Sequence, residues 1–189
     1  MSKIKGKGKA KIRKKKQLES KKKYESYKKN LISRIRTFND PILLEKSFLV
    51  KKNENIPRII KEIGKILAAT KNGVGLAAPQ IGYLDCIFAM RPDIEINEIS
   101  FIINPEIIDF DKKIIKNNEA CLSYPGILAG IERFRAVTIS YFDENFKKYE
   151  KEFNGFRSII VQHEMEHFEE GECLVGQFWR KKQNRLLKK

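Results

Sequence analysis

Gln162-His163-Glu164-Met165-Glu166-His167 decides how this chain is read. His163 and His167 are the only two histidines in 189 residues. They belong to a stretch, residues 155–169, in which Phe156, Ile159, Ile160, His163 and His167 repeat along one helical face. On an α-helix, positions i and i+4 lie one above the other. Two imidazoles so placed can grip one metal ion, and the glutamate beside the first can hold a water there. A divalent ion lowers the pKa of such a water from about 15.7 to near 7. The carboxylate then takes the proton and later delivers it to the leaving group. A chance pair of histidines on an amphipathic helix is the plain alternative. The spacing, the adjacent glutamate and the lack of any other histidine weigh against it. The pentad predicts metal binding and leaves the reaction open.

Two imidazoles fall short of the three protein ligands that a catalytic ion commonly takes. The candidates are carboxylates and the three cysteines, Cys86, Cys121 and Cys173. Cys86 sits in an apolar, strand-like run and reads as a small core residue. Cys173 is close in sequence but lies beyond a glycine and reads as buried. Cys121, in Glu119-Ala120-Cys121-Leu122-Ser123 before Tyr124-Pro125-Gly126, stands in a polar, turn-rich place. Spacing favours it only modestly. Three widely separated cysteines make no disulfide framework and suit a reducing compartment.

Outward from the pentad the pattern is a helix, then strands, then the pentad helix. Residues 56–70 carry Ile59, Ile60, Ile63, Ile66 and Leu67 at helical spacing, with Pro57 in the first turn and Lys71-Asn72-Gly73 as the stop. Residues 86–90, 101–104, 107–110 and 114–115 read as short strands with turns between them. Residues 136–142 and 148–153 read as a strand pair about the turn Asp143-Glu144-Asn145. That order predicts an α+β single domain: short antiparallel strands around a central metal-binding helix, with a helix nearer the N-terminus.

The formal charge of +15 is uneven. Residues 1–30 hold 14 Lys and Arg against 2 acids, and residues 180–189 hold 6 and none. The remaining 149 residues hold 19 basic and 22 acidic side chains. A nucleic-acid-binding fold should carry its charge on the folded body, so this is a slightly acidic body, residues 34–179, between a basic extension, residues 1–33, and a basic tail, residues 180–189. The extension has almost no apolar face and is expected to be disordered, with residues 14–27 a frayed helix at best. No apolar run approaches the roughly 18 residues that span a membrane, and no secretory signal is visible.

These residues resemble the peptide deformylases, over about residues 35–179. Gly73-Val74-Gly75-Leu76-Ala77-Ala78-Pro79-Gln80 matches the family's G-x-G-x-A-A-x-Q, Glu119-Ala120-Cys121-Leu122-Ser123 its E-G-C-L-S, and the pentad its Q-H-E-x-D-H. The resemblance implies removal of the formyl group from the N-terminal formyl-methionine of nascent polypeptides, co-translationally, with release of formate. It implies one divalent ion held by Cys121, His163 and His167: Fe(II) by family habit, with Zn, Ni or Co admissible. Donor softness alone would favour Zn. Glu164 becomes the general base and acid, and the Gln80 amide and Leu122 N–H the donors to the oxyanion. Val74, Gly75 and Glu119 join the substrate side. Gly75 lets a peptide backbone approach and bind as an added strand, while Glu119 is expected to orient groups around the ion. Ile160 is a candidate wall for the methionine pocket.

The match departs from the family in four places. Ala120 replaces a glycine, Glu166 replaces an aspartate, the segment before Gly171 is one residue longer, and no arginine follows Pro125 closely. Two rivals follow. One is a zinc endopeptidase that recruits Glu169, Glu170 or Glu172 as a further ligand. The other is a non-catalytic deformylase relative that binds the ribosome through its basic tails. Formylated starts occur in bacteria and their organelle descendants. With no targeting segment, a bacterial-type cytoplasm is expected rather than an organelle, and no membrane partner. The basic arms make the ribosome a candidate partner, and Leu186-Leu187 a candidate helical contact.

Overall fold

Lysine, glutamate and leucine are good helix formers even without an apolar face. In the computed structural model of the chain, which describes residues 3–93, 95 and 98–186, the basic extension is accordingly one helix, α1 (Lys3–Ile32), where a disordered arm was expected. Glu19 and Glu25 each precede a lysine by four residues, Lys23 and Lys29, the favourable order for helix pairs. Residues 14–27 are exposed throughout. Among the described side chains the end of α1 meets the body, where buried Leu31, with Ile35 just beyond, joins the core of the next helix.

That helix is α2 (Ile56–Ala69), as its periodicity predicts, and its Ile63, Ile66 and Leu67 are fully buried. Side chains of this size contribute about 1.5–3 kcal/mol each when buried, so this one face fixes α2 against the sheet. The sheet has five strands: β1 (Gly75–Ala77), β2 (Ile87–Met90), β3 (Ser100–Phe110), β6 (Ala136–Phe142) and β7 (Lys148–Asn154), in the order β1-β2-β3-β6-β7 and antiparallel throughout. A separate hairpin pairs β4 (Ile114–Glu119) with β5 (Ala129–Phe134). The pentad helix is α3 (Phe156–Glu166), which packs on β7, β1, β5 and β2. The architecture is the expected α+β domain.

Three local expectations change. The two runs at residues 101–104 and 107–110 form one strand, because a register shift between Ile103 and Glu106 absorbs Pro105, which has no N–H for the ladder. Asn104 takes φ 49° there, and its side-chain amide ties to both backbone groups of Val50. Strand β5 was not foreseen. The basic tail is not a separate segment: α4 (Leu174–Leu186) runs through it, and residues 187–189, including Leu187 of the candidate contact, lie outside the described residues.

Candidate active site

Helix α3 supplies His163, Glu164 and, as its cap, His167. All three are buried. The turn after β4 brings Cys121 against them, its sulfur 3.3 Å from His167 Nε2. A three-residue strand and a 3₁₀ turn, residues 75–81, bring Gly75 and Gln80 from the other side. Gln80 is clamped: its Oε1 accepts the Ala77 N–H at 2.8 Å, and its Nε2 donates to Ser123 Oγ at 3.1 Å and to Cys121 Sγ at 3.4 Å. A cavity of about 850 Å³ opens onto these groups, lined among others by Val74, Gly75, Gln80, Glu119, Cys121, Leu122, Ile160, His163 and Glu164. The chain thus gathers Val74, Gly75, Gln80, Glu119, Cys121, Leu122, His163 and Glu164 around one cavity, with His167 against Cys121 but outside the lining.

The electrostatics divide the roles. Burial pushes the Glu164 carboxyl up to about 7 against the pull of His163. Its Oε2 is buried with no hydrogen-bond partner among the described residues. Burial, with His163 and Arg133 adding like charge, holds His167 down at about 3, so its ring is neutral near neutral pH. Burial also opposes charge on His163, but Glu119 outweighs it and raises the ring to about 9. His163 Nδ1–H donates to Glu119 Oε2 at 2.8 Å, which leaves Nε2 for the site. Burial first, and Cys173 second, hold the Cys121 thiol well above its usual range. Any ion must displace these protons, so its uptake is linked to pH. The orphaned carboxylate oxygen and the neighbouring sulfur and nitrogen donors suit a divalent ion.

Glu119 does not reach toward a substrate. Both its oxygens are taken, by Arg133 at 2.8 Å each and by His163, so the orienting task fits it and the substrate side does not. Arg133 also pairs with Glu166, whose Oε2 accepts the Leu174 N–H at 3.0 Å. Glu166 therefore anchors the helix end, as the exchanged aspartate would. Ala120 sits outside the positive-φ residues and costs nothing. Sequence reading gave Arg133 no role. The clue was available: Ala129, Ile131 and Arg133 alternate onto the buried face of β5, and a charge on a core face needs buried partners. Cys173 is buried, as its sequence position suggested, but its sulfur also lies within 4.8 Å of donor atoms of Cys121 and His167. The end of α1 was a further omission: Ile32 and Ser33 line the cavity.

A buried helix carrying two histidines and an unpartnered glutamate beside a cavity, faced by a thiol and a clamped amide, has the donor set that metal-assisted amide hydrolysis needs. Residues 32–183 match the family model described as Polypeptide deformylase. The peptide deformylase of Borreliella burgdorferi is 37% identical over 141 residues, 73% of this chain and 84% of that protein. The crystal structure of the Thermotoga maritima peptide deformylase superimposes with a TM-score of 0.68 at 33% identity, covering 73% of this chain and 92% of that one. The Plasmodium falciparum peptide deformylase superimposes with a TM-score of 0.70 at 32% identity, covering 82% and 95%. This chain belongs to the peptide deformylase family, enzymes that remove the N-terminal formyl group from nascent peptides.

Proposed function

We propose that the chain deformylates nascent formyl-methionyl peptides with one divalent ion held by Cys121, His163 and His167: Fe(II) first, with Zn, Ni or Co able to substitute. The ion would supply a Lewis acid and an acidified water at neutral pH. Glu164 serves as base and then acid, and a carboxyl near 7 can do both around neutrality. The Gln80 amide, already aimed by the Ala77 N–H, and the Leu122 N–H receive the charge that develops on the formyl oxygen. Val74 and Gly75 take the peptide backbone beside the open edge of β1, while Ile160 and its neighbours take the methionine side chain. Glu119 and Arg133 keep His163 in register.

The observation that carries this reading is the unpartnered Oε2 of Glu164, buried at a cavity where Gly75 leaves it room. Glu164→Ala should keep its metal by elemental analysis and lose about 10²–10⁴-fold in formate release from formyl-Met peptides. Unchanged formate release would overturn the assignment. The endopeptidase alternative finds little support, since Glu169 and Glu170 are exposed and Glu172 pairs with Arg180. The basic faces of α1 and α4 bring the enzyme to ribosomal RNA through screened attraction. The bacterial origin of the curated relatives favours a bacterial-type cytoplasm. Among the described residues no helix is long and apolar enough to cross a membrane.

A further inference from the structure

The loop that leads into Gly75 is held from behind by a buried arginine. Residues 70–75 all line the cavity. They begin at Thr70, the C-cap of α2, where a helix leaves carbonyls without internal partners. Arg91, the residue after β2, is 3% exposed and reaches this loop. Its Nη2 donates to the Gly73 carbonyl at 2.8 Å and to the Thr70 carbonyl at 3.3 Å. Its backbone N–H donates to the Val74 carbonyl at 2.7 Å. One residue thus ties the loop at three points, and its charge sits where a helix C-terminus favours a cation. The loop is also closed on itself. Thr70 Oγ1 accepts the Gly73 N–H at 3.2 Å, and a Cβ on Gly73 would collide with that oxygen.

The Glu164 carboxylate stands against Gly75, so the formyl end of a substrate belongs there. Beyond it the peptide has one way to run. Leu76 and Ala77 are fully buried and outside the cavity lining, whereas Val74, Gly73 and Asn72 are within it. Residues after the methionine therefore lie along the loop that Arg91 holds. Backbone groups of successive strand residues face opposite edges. With the Val74 carbonyl turned inward to Arg91, Gly75 turns its own N–H and carbonyl to the open edge. The reacting groups are held separately, Gln80 by Ala77 and Ser123, and Glu164 by α3. We propose that Arg91 is a positioning residue for the substrate: it sets the backbone of residues 70–75, and through it the binding of the peptide beyond the formyl-methionine. The proposal rests on the deformylase reading of the cavity. Arg91 is not among the residues that line it, so it acts through the loop and not on the reacting atoms.

The test measures formate release by the metal-loaded full-length protein from two substrates, formyl-Met amide and formyl-Met-Ala-Ser. In Arg91→Met the KM for the longer peptide should rise about tenfold, the worth of one hydrogen bond to a charged group. Its kcat should stay within about twofold of the native value, as when binding alone is lost. For formyl-Met amide, KM should move by less than about twofold, since nothing beyond the methionine is left to place. Arg91→Lys keeps the charge but not the planar fork, and should show a smaller rise on the longer peptide only. Equal changes on both substrates, a fall in kcat or no change at all would overturn the proposal and leave Arg91 a structural clamp on the end of α2. If Arg91→Met does not fold, the lysine variant decides by the same comparison. No formate from either substrate with the native protein overturns the deformylase reading and this proposal together.

Discussion

Glu119 is the residue on which site and stability meet. Burial alone would raise its carboxyl, but hydrogen bonds from Arg133 and His163 outweigh that and hold it at about 2, against an ordinary 4.5. A group depressed in the folded state stabilises the fold above its unfolded pKa and loses that contribution as pH falls through the folded value. Thermal midpoints should therefore decline as pH drops from about 4.5 toward about 2. In Arg133→Met the decline should be shallower and the neutral-pH stability lower, since removing one partner of a buried ion pair costs about 3–5 kcal/mol. Equal slopes in the two proteins would show that the Arg133–Glu119 pair carries no linkage. At Gln80 the expectation is kinetic. Gln80→Ala should lose about 10²–10³ in kcat with KM little changed, as for other donors to a developing oxyanion. The pentad could be read directly because both histidines share one helix and helical spacing is local. Cys121 could not be fixed by spacing, because its distance from His167 depends on how the hairpin docks. Nor could spacing place Cys173 beside Cys121: Gly171 takes φ 99° and gives its N–H to the Leu44 carbonyl, which folds the chain back onto the site.

Among the elements, β1 tolerates no side chain at Gly75. A Cβ built on Gly75 would lie 2.1 Å from Glu164 Oε1 and 2.6 Å from its carboxyl carbon. Gly75→Ala should thus fold, because its φ is not in the left-handed region, and yet lose most formate release as the carboxylate is displaced. Full activity in a folded variant would mean that Glu164 has a second productive position. The helices α2 and α3 and the strand pair β6–β7 were legible because their patterns are strict and their turns clear. Strand β5 was not, because Arg133 interrupts its apolar alternation on the inner face. In the sequence β3 reads as two strands because Asn104-Pro105 signals a turn, whereas a bulge held by the Val50 backbone carries the strand through.

For the whole molecule, the charge asymmetry has become a shape. Thirty residues of α1 span about 45 Å at 1.5 Å per residue, a basic rod rooted beside the cavity, while α4 carries its basic end through residues 180–186. Removing residues 1–30 should weaken co-sedimentation with ribosomes at low salt and leave turnover of small formyl peptides near the parent value. Unchanged co-sedimentation would make α1 a solvated helix only. The length of that helix was not legible, because helix propensity without an apolar face gives no period to count. The five-stranded sheet, finally, ends in two unequal edges, β1 and β7. An open edge invites another copy of the chain to pair and spread into aggregate. At β1 the invitation lasts three residues and stops at Pro79 in the following 3₁₀ turn. That is too few rungs to template a second sheet, so the backbone left unpaired beside Gly75 is open to a short peptide rather than to another strand of the same sheet.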